Sequence, residues 1–306
     1  MPTVFISAYP FAQFNQAPLA RLQAAGMEIL RHPFERKLNS DELLPYLQQA
    51  DAVIAGTEQF AAQLLHQCPR LKFISRLGVG TDNIDLDACQ QLGIQVLTTP
   101  DAATEAVAEY CLGLILTLCR GIGFSHQQLR AGQWQRYFGL ELNQARLGLI
   151  GFGRIGQTVA RKAQALGMQV NTYDPLVSVD VFDMLAVQSM SLTALLKNSQ
   201  IVSLHAPANV ETHHLLNIQT LAMMQQGAYV INTARGSLID ESALYESLKS
   251  GHLAGAALDV FETEPYTGPL NELDNIILSA HQAANSQAAR IRMEVQAVEN
   301  LLTSFT

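Results

Sequence analysis

One glycine-rich turn constrains the fold of this chain more than any other feature. The apolar stretch 147–150 is typical of a strand, and Gly151, Gly153 and Gly156 follow it in a Gly-x-Gly-x-x-Gly pattern that opens a predicted helix. In that context the first glycine permits a tight turn, the second lets a pyrophosphate approach the backbone, and the third allows close packing of helix on strand. The turn predicts a parallel α/β sheet that binds a dinucleotide.

An acidic residue at the right distance supports this prediction. Asp174 lies 23 residues after Gly151, just past the predicted strand 169–173. A carboxylate there accepts hydrogen bonds from the adenosine ribose and repels a 2′-phosphate. No arginine follows within 175–178. The pattern favours NAD over NADP, and the alternative is a glycine turn with a solvated aspartate in an ordinary α/β protein.

Predicted strands and helices alternate along the chain of 306 residues, which is long enough for two domains. We expect one domain over 1–100, completed by 283–306, and a second domain over 101–282. A long buried helix is predicted over 104–120, and a closing helix over 282–302. The predicted strands are 3–7, 51–55, 71–75 and 94–98 in the first domain, and 147–150, 169–173, 200–204, 228–232, 254–258 and 275–279 in the second.

Composition excludes several function classes. The formal net charge is −8 and no run of Lys or Arg stands out, so neither a nucleic acid nor an anionic membrane is an expected partner. The longest apolar run, 111–119, is far below the ~20 residues of a membrane-spanning helix, and a soluble cytoplasmic protein is expected. The four cysteines have no zinc-type spacing, so we predict reduced core cysteines and no metal site.

Three ionisable residues stand at or just past predicted strand ends: Arg235, Glu264 and His281. Taken singly, they could be a surface arginine, a solvated loop acid and an ordinary loop imidazole. In an open parallel sheet, however, the ligand crevice lies beyond the carboxyl ends of the strands. Reduction of a 2-oxo acid needs a hydride from the cofactor, a fixed cation for the carboxylate, and an acid that protonates the oxo oxygen. Arginine offers a rigid fork for the carboxylate, and histidine can carry the proton.

Ordered motifs run through nearly the whole chain and carry a family resemblance. The sequence resembles the NAD-dependent D-isomer-specific 2-hydroxyacid dehydrogenases, and is most similar to their short phosphoglycerate dehydrogenase subgroup. Besides the Gly151 turn with Asp174, the matching stretches are 75–85, 106–110, 202–207, 232–237, 257–265 and 279–281.

The resemblance implies an α/β fold with two doubly wound parallel-sheet domains, in which a Rossmann NAD-binding domain is inserted into a flavodoxin-like substrate domain and catalysis occurs in the cleft. It assigns the substrate carboxylate to Arg235, proton transfer to His281, and pairing with that histidine to Glu264. It also implies a homodimer formed through the NAD-binding domain. The remaining implied contacts are Gly78 and Val79 with the substrate, Arg154 and Ile155 with the pyrophosphate, His205, Ala206 and Pro207 in the cofactor pocket, and Thr233, Ala234 and Asp259 beside the nicotinamide.

The substrate that the resemblance favours is D-3-phosphoglycerate, or phosphohydroxypyruvate in the reverse direction. Where the subgroup has an arginine for the phosphate, this chain has Glu58; Arg76 or the basic segment 31–37 could replace it, and that segment could equally be a solvated loop. The alternatives are a reductase of hydroxypyruvate, glyoxylate or another 2-oxo acid, and, from a different class, an NAD(H)-sensing interaction protein resembling the C-terminal-binding-protein corepressors.

Overall fold

The computed structural model describes residues 1–305 and divides the chain into two compact units. Unit 1 consists of Met1–Ala103 and the segment from Asn285 onward, and unit 2 of Thr104–Ala284. The sequence placed the domain boundaries at 100/101 and 282/283. The last residue of the predicted segment 283–306 lies outside the described part of the chain.

Unit 1 is built on a five-stranded parallel sheet in the order β2-β1-β3-β4-β5. This is the flavodoxin-like order, and it confirms the predicted fold of the substrate domain. Its strands are β1 (Thr3–Ile6), β2 (Glu28–Arg31), β3 (Ala52–Ala55), β4 (Phe73–Arg76) and β5 (Gln95–Leu97). Its helices are α1 (Ala17–Ala24), α2 (Ser40–Leu47), α3 (Ala62–Leu65), α4 (Leu86–Leu92) and α12 (Gln287–Ser304).

Two features of unit 1 depend on position in the sheet. Strand β2 did not appear among the predicted strands, because it lies at the sheet edge and its residues are only partly buried, so it has no continuous apolar run. Helix α12 packs against α1 and β4, and the Ser75 hydroxyl on β4 donates to the Ala297 carbonyl at 2.9 Å. The closing helix thus shares the core of the first hundred residues.

Unit 2 contains a seven-stranded parallel sheet in the order β12-β11-β10-β9-β6-β7-β8. The order reverses beside β6, so that β8, β7, β6, β9, β10 and β11 follow the doubly wound Rossmann pattern. The strands are β6 (Arg146–Ile150), β7 (Gln169–Tyr173), β8 (Gln188–Ser189), β9 (Ile201–Leu204), β10 (Ala228–Asn232), β11 (Leu253–Leu258) and β12 (Ile276–Leu278). The helices are α5 (Thr104–Cys119), α6 (Ile122–Arg130), α7 (Arg154–Ala165), α8 (Val179–Met184), α9 (Leu192–Asn198), α10 (Ile218–Ala222) and α11 (Glu241–Lys249).

Helix α5 is the long buried helix that the apolar spacing predicted. It ends at Cys119, and α6 begins after Gly121, whose φ of +59° is in the left-handed region that favours glycine. Over the described residues, no single helix has the length and apolar character needed to cross a membrane, although the bent pair of α5 and α6 passes that test on length and composition.

Candidate functional site

Three neighbouring strands of unit 2 bring the predicted ionisable residues to one edge of the sheet. Strands β10, β11 and β12 are parallel and adjacent, so their carboxyl ends lie together. Backbone hydrogen bonds continue past the strand ends: the Asp259 N–H donates to the Asn232 carbonyl at 2.9 Å, and the His281 N–H donates to the Asp259 carbonyl at 2.8 Å. The loops that carry Arg235, Glu264 and His281 therefore start side by side.

The structure brings His281 and Glu264 into direct contact. Nδ1 of His281 lies 2.9 Å from Oε2 and 3.1 Å from Oε1 of Glu264. The Phe261 N–H donates to the same Oε1 at 3.2 Å, which helps to orient the carboxylate. Both side chains are about two-fifths exposed, at 43% for His281 and 38% for Glu264. His281 also has a φ of +48°, a conformation that non-glycine residues seldom adopt and that recurs at functional sites.

A fully buried carboxylate, Asp259, holds the loop that carries His281. Its Oδ1 accepts from the Ser279 hydroxyl at 2.6 Å and from the Gln282 N–H at 3.0 Å, and its Oδ2 accepts from the Ala283 N–H at 2.8 Å. These three bonds satisfy a charge that would be costly to bury without partners. Asp259 was predicted as a contact of the cofactor, and the structure shows its carboxylate engaged within the protein.

The Arg235 loop is held against the loop of Glu264. The Asn232 side chain donates to the Arg235 carbonyl at 2.8 Å and accepts from the Ala234 N–H at 3.0 Å. Gly236 is buried, and a Cβ at this position would lie 1.9 Å from the Phe261 carbonyl carbon, so only glycine fits. Arg235 itself is half-buried, and its Nη1 donates to the Ala234 carbonyl at 2.6 Å. The guanidinium is thus held at the sheet edge.

The glycine turn has the close contacts that the motif requires. Gly151 has a φ of +96°, and a Cβ there would lie 2.6 Å from the Ala206 nitrogen. A Cβ on Gly156 would lie 2.4 Å from the Gly151 carbonyl oxygen, whereas Gly153 has open space for 4 Å around its Cβ position. Gly153 also precedes α7, whose N-terminus has no capping side chain. Open space at a helix N-terminus suits an anionic pyrophosphate.

Asp174 and Thr233 support the same fit. Asp174 accepts from the Phe152 N–H at 2.7 Å and from the Leu176 N–H at 2.9 Å, which fixes its carboxylate beside the turn with acceptor capacity to spare. The Thr233 hydroxyl is buried and has no hydrogen-bond partner among residues 1–305. Such an orphaned hydroxyl suits a position that a bound group completes. The glycine turn, the Asp174 carboxylate and the Thr233 hydroxyl therefore fit a bound dinucleotide.

The other predicted cofactor residues surround this turn. Gly151 packs on the backbone of His205 and Ala206, and Nε2 of His205 lies 2.9 Å from the Ser203 hydroxyl oxygen. Desolvation lowers the pKa of His205 to about 4, so the ring is neutral at pH 7. Of the remaining residues, Ala206 is buried, Ile155 and Ala234 are half-buried, and Arg154 and Pro207 are exposed.

The predicted substrate residues of unit 1 follow β4. The Arg76 guanidinium lies against Gly78 and donates to the Leu77 carbonyl. The Gly78 N–H donates to the Thr99 hydroxyl at 2.8 Å, and Val79 is 49% exposed. A role for these residues in substrate binding stays a prediction.

The acid that replaces the expected arginine points inward. Glu58 is 2% exposed; its Oε2 accepts from the Gly56 N–H at 2.8 Å and from the Ser7 hydroxyl at 3.2 Å. In the basic segment, Arg36 pairs with Glu42 at 2.6 Å, and this bond lowers the pKa of Glu42 to about 2. Arg36 is thus engaged in an exposed ion pair within unit 1.

Comparison with known proteins agrees with these features. The family model described as D-isomer specific 2-hydroxyacid dehydrogenase, NAD binding domain, matches residues 112–283. The chain belongs to this family. A D-3-phosphoglycerate dehydrogenase of Methanocaldococcus jannaschii is 40% identical over 83% of this chain and 49% of its own length. A hydroxypyruvate reductase of Thermotoga maritima is 39% identical over 86% of this chain and 88% of its own length. A Thermus thermophilus protein of known structure superimposes with a TM-score of 0.89, at 37% identity over 100% of this chain and 97% of its own.

Family membership confirms the predicted resemblance, the two-sheet α/β fold, NAD as the cofactor, and an oxidoreductase that acts on a CH–OH group. The matched region spans about half of the archaeal phosphoglycerate dehydrogenase, at 49%, and most of the hydroxypyruvate reductase, at 88%. The individual site residues and the substrate stay predictions.

The residues that orient the loops at the carboxyl edge of the unit 2 sheet were not predicted from the sequence. Gly236 was read only as part of a motif, and Ser279 and Asn232 were given no role of their own. Their signals were present: a glycine directly after Arg235, and small polar residues at strand ends. Only the packing of the loops shows what each one holds.

Proposed function

We propose that this chain catalyses hydride transfer between NAD(H) and a 2-hydroxy or 2-oxo acid, with Arg235, Glu264 and His281 as its catalytic residues. The contact between His281 and Glu264 carries the proposal, because a carboxylate on Nδ1 fixes the orientation and the tautomer of the ring. Arg235, held at the same sheet edge, would bind the substrate carboxylate through its planar fork.

In the reducing direction, the protein's task is to deliver a proton as negative charge develops on the oxo oxygen. NADH, when held by the glycine turn and Asp174, would supply the hydride for the carbonyl carbon. The carbonyl electron pair moves to oxygen, which takes the proton from Nε2 of His281, while Nδ1 keeps its bond to Glu264. The imidazole then regains a proton from solvent. In the reverse direction, neutral His281 accepts the hydroxyl proton.

The first experiment follows NADH absorbance with a panel of 2-oxo acids. The proposal expects turnover of at least one acid, and a large loss of it in Arg235→Ala and His281→Ala at unchanged NADH affinity. Tight NADH binding without turnover of any acid would contradict it and favour the NAD(H)-sensing interaction protein.

The same assay with NADPH tests the role of Asp174 in cofactor choice. Asp174→Ala should relax the preference for NADH over NADPH, and an unchanged preference would mean that Asp174 does not determine it.

For the substrate, the first candidate is phosphohydroxypyruvate and its reduced form D-3-phosphoglycerate. Arg76 supports it, because this cation lies against Gly78 in the segment that the family resemblance gives to the substrate. A guanidinium there could bind a phosphate in place of the missing arginine.

The second candidate is an unphosphorylated 2-oxo acid such as hydroxypyruvate or glyoxylate. The buried Glu58 favours it, because a carboxylate held by the Gly56 N–H and the Ser7 hydroxyl at this position repels a second anion. The match to the hydroxypyruvate reductase of Thermotoga maritima, which covers most of both chains, also supports an unphosphorylated substrate.

A substrate panel on Arg76→Ala separates the two candidates. If the phosphorylated acid is the substrate, this variant should lose its preference for it over hydroxypyruvate, with kcat/KM falling for the phosphorylated acid alone. If wild type prefers an unphosphorylated acid and Arg76→Ala keeps that preference, the second candidate stands.

We further propose a homodimer formed through the NAD-binding unit. An exposed apolar surface in unit 2 supports it: Phe138 is 93% exposed, Trp134 85%, Leu129 59% and Ile122 55%. All four lie in the segment 122–138, and large apolar side chains exposed within one segment are typical of an interaction surface. Sedimentation of wild type and of a Trp134→Ser, Phe138→Ser variant tests it: a monomeric wild type would contradict the dimer, and dissociation of the variant alone would support this surface.

A further inference from the structure

A cluster of two histidines and a glutamate includes neither His281 nor Glu264. It consists of His213, His214 and Glu262, and one ligand atom from each lies within 4.8 Å of the others. The group brings together residues 48 positions apart in the chain, because Nε2 of His214 contacts Oε1 of Glu262 directly. From this geometry we propose that the cluster is a binding site for a divalent transition-metal cation of the zinc class.

The local backbone explains why two consecutive histidines can act together. Successive side chains on an extended strand point to opposite faces. Here His214 has a φ of +48°, and the two imidazole rings lie with centroids 4.0 Å apart and planes 30° apart. Both rings therefore lie on the same side of the turn. Two imidazoles and a carboxylate form the ligand set that zinc takes with three protein groups and an open fourth position.

The turn that carries the ligands is fixed by backbone bonds. The His214 N–H donates to the Ser237 carbonyl at 2.8 Å, the His213 N–H donates to the Asn209 carbonyl at 3.0 Å, and the Asn217 side chain donates to the His214 carbonyl at 3.0 Å. Tetrahedral zinc ligands at ~2.1 Å from the metal are about 3.4 Å apart. The three ligand atoms lie within 4.8 Å of one another, and the exposed His213 side chain has room to rotate toward the other two.

A second carboxylate adds negative charge behind the ligands. Glu241 accepts from the Glu262 N–H at 2.9 Å, and so helps to orient the segment that carries this ligand. Two carboxylates beside two imidazoles favour a cation at this position.

Binding would tie together segments that also carry the proposed catalytic residues. Glu262 lies two residues before Glu264, and Ser237 lies two residues after Arg235. A metal at the cluster would join the turn at 213–214 to the loop at 262, and would stabilise unit 2 by binding only its folded form.

The test is a titration of metal-free, tag-free protein with Zn²⁺ by calorimetry. Wild type should bind one equivalent in a saturable step, and at Zn²⁺ about 100 times Kd the melting temperature should rise by roughly 5 °C. His213→Ala, His214→Asn and Glu262→Gln should each weaken binding at least tenfold. His66→Ala, which removes an exposed imidazole in unit 1, should not change it.

Spectroscopy with Co²⁺ gives a second measurement that does not depend on activity. Tetrahedral coordination by wild type should produce visible absorption that is absent from Glu262→Gln. Three results would each overturn the proposal: no saturable Zn²⁺ binding, equal binding in the ligand variants and His66→Ala, or loss in Glu262→Gln with full binding in both histidine variants. Because the site does not include Arg235, Glu264 or His281, its failure would leave the proposed function untouched.

Discussion

The carboxyl edges of the two sheets organise charge in opposite ways. In unit 2, Glu264 and His281 lie on exposed loops and meet in a hydrogen bond, and the buried Asp259 supports one of those loops from beneath. In unit 1, the acid at the corresponding strand end, Glu58, is turned inward and bound by Gly56 and Ser7. One edge presents ionisable groups, and the other buries one.

This difference indicates which sheet edge should carry out proton transfer and which should influence the choice of substrate. An exposed, paired imidazole can exchange protons with a substrate, whereas a buried carboxylate can act only through its field. We therefore expect substitutions at the unit 2 edge to change turnover, and substitutions at the unit 1 edge to change the choice of substrate.

The largest effect should come from His281→Ala. Loss of a general acid typically lowers kcat by about 10²–10⁴-fold. NADH affinity, measured by fluorescence titration, should remain that of wild type, and His66→Ala should keep wild-type kcat. If His281→Ala turned over its best 2-oxo acid at the wild-type rate, the unit 2 edge would not be the site of proton transfer.

Arg235→Ala should weaken productive binding of the 2-oxo acid by about 3 kcal/mol, or roughly 10²-fold in kcat/KM, because a charge-assisted fork is lost. Arg235→Lys should recover only part of this loss, since an ammonium cannot make the bidentate contact. Steady-state kinetics of the two variants measure the difference. Equal kcat/KM values for wild type and Arg235→Ala would mean that Arg235 does not bind the substrate carboxylate.

Much of the fold could be predicted because apolar runs and glycine turns are local signals. Most strands of both sheets, the long helix α5 and the turn at Gly151 appear in the sequence. The edge strands β2 and β8 do not, because only their pairing with β1 and β7 makes them strands. At the candidate site, residue types at strand ends could be found in the same way.

The sequence could not show the direction in which a side chain points. No feature of the sequence marks Glu58 as buried, and its carboxylate is turned inward because Gly56 and Ser7 bring two donors to it. His213, His214 and Glu262 are distant or unremarkable in sequence and meet only because two loops lie together. Contacts between loops come from tertiary packing, which no local pattern encodes.

Gly236→Ala tests whether loop packing maintains the unit 2 edge. A methyl group there would overlap the Phe261 backbone, so we expect a loss of about 1–3 kcal/mol in the free energy of unfolding and a lower kcat. Gly113→Ala is the matched control, because Gly113 lies in α5 with nothing within 4 Å of its Cβ position, and it should be neutral or stabilising. Equal denaturation midpoints for the two variants would contradict the packing argument.

A second histidine of unit 2, His205, contrasts with His281 in being held neutral. The pKa of His205 is lowered from 6.5 to about 4 in the folded protein. Between these two pH values His205 is protonated in the unfolded chain and neutral in the folded protein. Stability should therefore fall by roughly 2 kcal/mol between pH 6.5 and 5 from this group. Denaturation curves of His205→Gln should show a weaker dependence on pH over that range, and His66→Gln should not. An unchanged slope in His205→Gln would exclude His205 as the cause.

The smallest effect is expected at the unit 1 edge, in Glu58→Gln. This variant keeps an oxygen acceptor for the Gly56 N–H and removes the negative charge. If the charge disfavours a phosphorylated acid, kcat/KM for phosphohydroxypyruvate should rise several-fold, up to about tenfold, while kcat/KM for hydroxypyruvate should barely change. Glu35→Gln, on an exposed loop of the same unit, is the control for a general change in charge. A parallel change for both acids would mean that Glu58 supports the loop structurally and does not discriminate between substrates, and the contrast between the two edges would then be one of burial alone.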